Sequence, residues 1–370
     1  MNLNLIPLPQ LQPNPGTMIA ICALPISIME QPVLLALTDQ LQLWQIELRT
    51  GLTRQLATIE LFEFEPHHPV QFIVSPCGRL AGISNRFGKY AIIVELASGT
   101  TILSLERGEY HYDKSTYPLA FIRQNEQLLL AHGTDWNRLE LTALLPEMKS
   151  LSTRTIPNRQ GESDAEKAHY LDYFHGKLHS SPNGTFLAET GWVWAPAGVT
   201  RVWSNREWLA NVWESEDGTS LDSFWKPLID WDLPMVWLND ELLAIWGQLD
   251  EDLLDEEDWE VEGTQSAIMI YNAKLRARHA VITNAPKFQT RTDLPDVFVH
   301  PQAQLAASFT GKLFAWGHAV PLQVWDLSTQ QLEYQQLDHS NPNIQPDLYH
   351  TEADLFLKIG SGSIQAWRYE

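Results

Sequence analysis

One structural unit recurs along this chain roughly every fifty residues, and a repeat of that length restricts the fold more than any other feature. Each copy opens with a turn rich in Pro, Gly, Asn or Asp, runs into an apolar strand, and continues into a second apolar strand. The clearest copies begin Ser75-Pro76-Cys77-Gly78-Arg79-Leu80-Ala81 and Ser181-Pro182-Asn183-Gly184-Thr185-Phe186-Leu187-Ala188. Others begin at Glu30-Gln31-Pro32-Val33, Gln124-Asn125-Glu126-Gln127, Leu238-Asn239-Asp240-Glu241, His300-Pro301-Gln302-Ala303 and Thr351-Glu352-Ala353-Asp354. Aligning one apolar position per copy selects Leu34, Leu80, Leu128, Phe186, Leu242, Leu305 and Leu355, separated by 46, 48, 58, 56, 63 and 50 residues. That makes seven units.

The units are short runs of β-branched and aromatic residues with turn signals every 8 to 12 positions, which argues for strands. A 3.6-residue apolar period is expected only in two connectors, Ala165–Tyr173 and Asn205–Val212. Several second strands carry tryptophan, as in Leu43-Trp44-Gln45-Ile46, Arg201-Val202-Trp203-Ser204 and Ile364-Gln365-Ala366-Trp367. One, Gln323-Val324-Trp325-Asp326-Leu327-Ser328-Thr329, ends in Trp-Asp.

That segment and the two Ser-Pro-x-Gly turns resemble the WD-repeat β-propeller family, and the likeness runs over nearly the whole chain. The resemblance implies an all-β, seven-bladed β-propeller of four-stranded antiparallel blades, forming a single domain over residues 1–370. The blade units would be roughly 9–60, 61–108, 109–156, 157–229, 230–286, 287–338, and 339–370 with 1–8. Departures are visible: Trp44, Trp203 and Trp367 are followed by Gln45, Ser204 and Arg368, and His175-Gly176 inverts the family's Gly-His. The family's buried His–Ser–Asp–Trp network is therefore not carried over. The last unit is one strand short, while Asn2-Leu3-Asn4-Leu5-Ile6 is a strand without a partner. Pairing the two would close the ring and remove exposed edges.

Charge excludes some partners. With 25 basic and 46 acidic side chains the net charge is −21, and duplex binding needs clustered Lys and Arg. Nucleic acid and anionic membrane are poor candidates. No apolar run reaches the roughly 18 residues of a bilayer span. The N-terminus lacks the basic start and cleavage site of a signal peptide, so cytoplasmic residence is the expectation. Cys22 and Cys77 lie in apolar runs and are expected to act as small buried hydrophobes. Asn183-Gly184-Thr185 is read as turn chemistry.

Catalytic and metal signatures are weak. His175 and His179 are four apart, but no Glu follows the first and Gly176 opposes a helix, so the zincin arrangement is missing. Gly311-Lys312 lacks the flanking residues of a phosphate loop. Gly360-Ser361-Gly362-Ser363 reads as a hairpin turn, not a nucleophile elbow. No catalytic residue, metal ligand or cofactor is assigned, although a triad assembled across blades stays open because triads are defined in space.

The family resemblance places the connectors between second and third strands, and those between blades, on one face. Trp136, Trp192, Trp194, Trp231, Trp259 and Trp316 fall in such connectors. So does the run from Asp250 to Glu262, whose nine carboxylates include Asp255, Glu256, Glu257 and Asp258. This run reads as a solvated loop or a docking loop; calcium would require a Gly turn and alternating ligands that it lacks. Asp230-Trp231-Asp232 reads either as a solvated turn or as a ring flanked by two carboxylates that could receive a cation. The favoured function is a non-enzymatic protein-interaction scaffold whose acidic, Trp-bearing loop face binds a basic peptide or protein surface. The alternatives are a small-ligand or carbohydrate-binding propeller, possibly a hydrolase or lyase with its site at the channel mouth, and a structural subunit of a larger assembly.

Overall fold

The structure is a computed structural model that describes residues 2–25, 31–60, 63–154, 168–194, 197–226, 230–249, 265–287, 303–318, 320–336, 345–360 and 362–370. Strand β1 (Leu3–Ile6) opens the chain. The first blade then holds β2 (Met18–Leu24), β3 (Val33–Thr38), β4 (Gln42–Glu47) and β5 (Thr53–Thr58). The second holds β6 (Val70–Val74), β7 (Leu80–Asn85), β8 (Tyr90–Glu95) and β9 (Thr101–Glu106). The third is β10 (Leu119–Gln124), β11 (Gln127–Asp135), β12 (Arg138–Leu145) and β13 (Lys149–Ser150). The fourth is β14 (His179–Ser180), β15 (Phe186–Val193), β16 (Ala197–Ser204) and β17 (Asp222–Trp225). In the fifth are β18 (Met235–Trp237), β19 (Leu242–Leu249), β20 (Gln265–Asn272) and β21 (Ala277–Ile282). The sixth contains β22 (Ala303–Ala307), β23 (Lys312–Gly317), β24 (Val320–Asp326) and β25 (Gln331–Gln335). The seventh contains β26 (Leu348–His350), β27 (Leu355–Gly360) and β28 (Ser363–Tyr369).

Each sheet has four strands, and within the first six the strands pair in chain order. The seventh is completed by β1, which lies antiparallel on β28 with Leu3 opposite Tyr369 and Ile6 opposite Ala366. Asn2 and Glu370 extend this pairing by exchanging backbone hydrogen bonds of 2.7 and 3.0 Å. The expected closure by the N-terminal strand is therefore present, and the seven four-stranded sheets are the blades of a seven-bladed β-propeller.

By internal packing the chain divides into two compact units. One comprises Met1–Gly108, Ala306–Trp316 and Pro321–Glu370; the other comprises Glu109–Leu305 and Gly317–Val320. In the first unit, β3 shows why blade strands read as unbroken apolar runs. All six of its residues are buried. Side chains alternate between faces, so Leu34 and Ala36 pack with Leu355, Leu357 and Ala366. Val33, Leu35 and Leu37 pack with Ile83, Ile92 and Val94. With a blade on each side there is no solvent face to encode. In the second unit, Ile122, Leu129 and Leu141 pack with Leu187, Trp203 and Trp208.

The Ser-Pro-x-Gly turns share one geometry. The Ser75 and Ser181 hydroxyls accept the N–H groups of Leu80 and Phe186 at 3.0 and 2.9 Å. Gly78 and Gly184 sit at φ 62° and 75°, a region that a side chain disfavours. The Trp-Asp signature acts locally: Asp326 accepts from the N–H groups of Ser328 and Thr329 and pairs with Lys312 at 2.9 Å.

Three expectations need correction. Leu305 lies in β22, a first strand, whereas the other aligned positions lie in second strands; the second strand of the sixth blade is β23. The His300-Pro301 segment imitated the turn between first and second strands, which is formed instead around Gly311 at φ 80°. A helix forms at α1 (Asn205–Ala210), capped by the Ser204 hydroxyl on the Glu207 N–H. A short α2 (Glu214–Asp217) follows it. None forms over the described part of 165–173, because His169 adopts φ 63° and Phe174 enters a β-bridge with Trp192. Finally, both thiols are free; Cys22 is buried, which pushes its pKa up, but Cys77 is only half-buried.

Candidate binding surface

The site grows from a buried corner in the second unit. Asp232 stands at φ 54°, a backbone state that Asp tolerates better than most residues. Its N–H donates to the Thr190 carbonyl at 2.9 Å. Its carboxylate accepts the backbone N–H of Thr116 at 2.8 Å and that of Lys177 at 2.8 Å. One side chain thus ties together the connectors before β10, before β14 and before β18. Gly176 is required alongside: a Cβ there would lie 2.6 Å from Asp232 Oδ1 and 2.7 Å from the Thr190 carbonyl.

On this corner rests a column of rings. Trp231 is fully buried, and its indole N–H donates to the Lys114 carbonyl at 2.6 Å. Trp192 stacks on it with centroids 5.0 Å apart. Phe174 stacks on Trp192 at 3.7 Å and 7°. The backbones of Phe174 and Trp192 bond one another in both directions, at 2.7 and 3.0 Å. Trp136, from the β11–β12 turn, leans on Phe174 at 4.4 Å.

The column ends at solvent. Tyr110 stacks toward Phe174 at 5.8 Å and meets Trp136 and Trp194 edgewise. Trp194 stands perpendicular to Phe174 and lies 5.1 Å from the His111 ring. Tyr110 is 47% exposed and Trp194 44%, whereas Phe174 and Trp192 are 2% and 3%. The outer rings are therefore free to touch a partner and the inner ones hold them still. Large rings with few rotors on a rigid base lose little entropy on binding, and their faces attract cations as well as apolar groups.

A second network fixes the same connector from behind. His175 Nδ1 lies 2.8 Å from Glu189 Oε1, with both side chains closed to solvent, and Glu189 also accepts the Gly176 N–H at 3.1 Å. The Ser115 hydroxyl donates to the His175 carbonyl at 2.7 Å. The Tyr173 hydroxyl donates to the Val199 carbonyl and accepts the Gly191 N–H, while Arg201 lies over its ring at 4.4 Å. Burial raises the Tyr173 pKa well above its ordinary value. No substrate could reach this pair, so its chemistry is structural. Among the described residues, no cluster of three or more His, Cys, Asp or Glu is arranged to hold a metal ion.

The residues proposed from sequence divide into four groups. Trp136, Trp192, Trp194 and Trp231 converge in the aromatic column, but only Trp136 and Trp194 reach its outer part. Asp230 and Asp232 are buried, and Asp232 receives backbone N–H groups, so the notion of a cation-receiving corner at Trp231 is corrected. Trp316 belongs to the core of the first unit, 2% exposed, with its indole N–H on the Pro346 carbonyl at 2.7 Å. Asp255, Glu256, Glu257, Asp258 and Trp259 lie outside the described residues. Sequence reasoning missed Tyr110, His111 and Phe174. Their only signal was aromatic density in blade-to-blade connectors, in Tyr110-His111-Tyr112 and Tyr170 to His175.

No family model and no curated protein matches this sequence. Solved structures do. The chain is similar to the β-propeller domain of Myceliophteria thermophila Cps50 (Swd1), with 12% identity, a TM-score of 0.54 and all of both chains covered. It is also similar to a chain in a crystal structure of the Mitotic Checkpoint Complex, with 13% identity, a TM-score of 0.52, and 96% of this chain and 95% of that one covered. At these identities the likeness concerns the fold.

Proposed function

We propose that this chain is a divergent WD-repeat-like propeller acting as a non-enzymatic protein-interaction scaffold, and that the Tyr110–Trp194 surface binds a basic peptide or protein segment. One observation carries this reading: two half-exposed rings, Tyr110 and Trp194, are mounted on the buried rings of Phe174, Trp192 and Trp231. Burying such rings against a partner supplies the anchor energy of a typical interface hot spot, about 2 kcal/mol or more per residue. The basic preference rests on charge. The chain carries −21 overall, and nine carboxylates sit in the sequence joining β19 to β20. A field of that sign accelerates association with cations and does so less as salt rises. The likeness in fold to a chain of the Mitotic Checkpoint Complex supports a protein partner.

The test is titration of the chain with a panel of Lys/Arg-rich, neutral and Asp/Glu-rich peptides at low and high salt. Basic peptides are expected to bind, with affinity falling about tenfold or more between roughly 50 and 500 mM salt. Binding of acidic peptides, or salt-independent binding, would refute the electrostatic part.

A further inference from the structure

We propose that the first unit carries a separate site for a guanidinium group, in a groove between its β23 and β28 strands. Thr310, Lys312 and Phe314 line it from β23 and the preceding turn, Asp354 from the β26–β27 turn, and Tyr369 and Glu370 from the end of β28. The groove encloses about 230 Å³ and opens to solvent. That is below the roughly 300 Å³ at which pockets for drug-sized ligands begin, and suits one extended side chain. None of these residues belongs to the aromatic surface.

Charge sets the sign of the ligand. Among the described residues of the lining Lys312 is the one cation, but its ammonium already lies 2.9 Å from Asp326 Oδ2 and 2.6 Å from Glu333 Oε1. Those two carboxylates outnumber it, and Asp354 and Glu370 add two more. Arg368 is a second neighbouring cation, with its guanidinium directed at the carbonyls of Asp354 and Ala353 at 3.4 and 3.3 Å. Among the described residues, four carboxylates against two cations repel an anion and draw a cation.

Shape narrows the cation. Asp354 Oδ1 accepts the Tyr349 hydroxyl at 2.6 Å, which fixes the carboxylate and leaves Oδ2 for another donor. A planar fork of N–H groups satisfies two such acceptors at once, whereas an ammonium approaches as a point. Half-buried Tyr369 adds a ring over which guanidinium stacks well, and buried Phe314 forms the apolar floor beneath it. Phe314 is held in place by Tyr349 and Phe356, at 4.7 and 4.9 Å. Beside Thr310, Phe309 is 80% exposed, an apolar neighbour for the stem or for the residue next to an arginine.

Ligand-observed NMR and calorimetry on the full chain test this, using N-acetyl-L-arginine-N-methylamide, free L-arginine and N-acetyl-L-glutamate. Arginine compounds are expected to bind and the glutamate not. Asp354→Asn, which still accepts from Tyr349, and Glu370→Gln should together weaken arginine binding about fivefold or more with an unchanged melting temperature. Trp194→Ala should leave it unaltered, which separates this site from the aromatic surface. Equal binding of capped and free arginine assigns the group to a peptide; binding of the free form alone assigns it to the amino acid, and both support the site. No binding of either arginine compound, equal binding of glutamate, or indifference to the double variant would overturn it.

Discussion

Phe174 and Trp192 are joined twice, through rings stacked at 3.7 Å and 7° and through reciprocal backbone hydrogen bonds of 2.7 and 3.0 Å. The double link pins a blade-to-blade connector to β15 through an isolated β-bridge. Loops that carry binding residues are more precise when mounted on such rigid elements.

Truncating this ring should be costly. Phe174→Ala removes a side chain that is 2% exposed and is expected to destabilise the chain by about 3–5 kcal/mol in denaturant unfolding. A loss below about 1 kcal/mol would mean that the column is not packed as described.

Asp232→Asn retains the tolerance for positive φ but replaces one acceptor oxygen with a donor, opposite the buried N–H of Thr116 or the half-buried N–H of Lys177. The expected loss is about 2–4 kcal/mol, since a buried donor is left without its acceptor and a charge-assisted bond is lost. It should also loosen the column, seen as faster hydrogen exchange at Trp192 and Phe174.

Removing residues 1–8 strips β1 from β28 and bares its edge. An exposed strand edge is an aggregation template. The truncated chain should melt roughly 3–5 °C lower, equivalent to about 3 kcal/mol, and self-associate at high concentration. An unchanged melting curve without aggregation would show that β1 contributes nothing to closure.

His132 gives a pH signature. It is buried, with Nε2 3.1 Å from the Thr142 hydroxyl, and burial lowers its pKa to about 4 despite the raising influence of Glu140. The unfolded chain takes up the proton near pH 6.5 and the folded one only near pH 4, so stability falls as pH drops through that window. The loss from this group approaches about 3 kcal/mol at the lower end. His132→Gln should flatten the stability profile between pH 6.5 and 4; an unaltered slope would contradict the buried neutral state.

Architecture was readable because blade strands are apolar on both faces and the turns between them need particular residues, as Gly78 and Gly184 show. The sixth copy slipped because Pro301 and Gly311 both punctuate the chain only ten residues apart, and periodicity alone cannot choose between them. At the site, tryptophan in the right connectors pointed to Trp136, Trp192, Trp194 and Trp231, but composition does not separate a ring that supports from a ring that touches. That distinction depends on stacking order, set by backbone bonds such as Phe174 to Trp192. Asp232 misled for a similar reason: a carboxylate beside an indole looks the same in sequence whether it faces solvent or three connectors.

The account stands or falls on the outer rings. Calorimetric titration with the tightest-binding basic peptide should show that Trp194→Ala and Tyr110→Ala each weaken binding by about tenfold or more while changing unfolding free energy by less than about 1 kcal/mol. Undiminished affinity in the Trp194→Ala, Tyr110→Ala double variant, with the fold intact, would contradict the assignment of this surface.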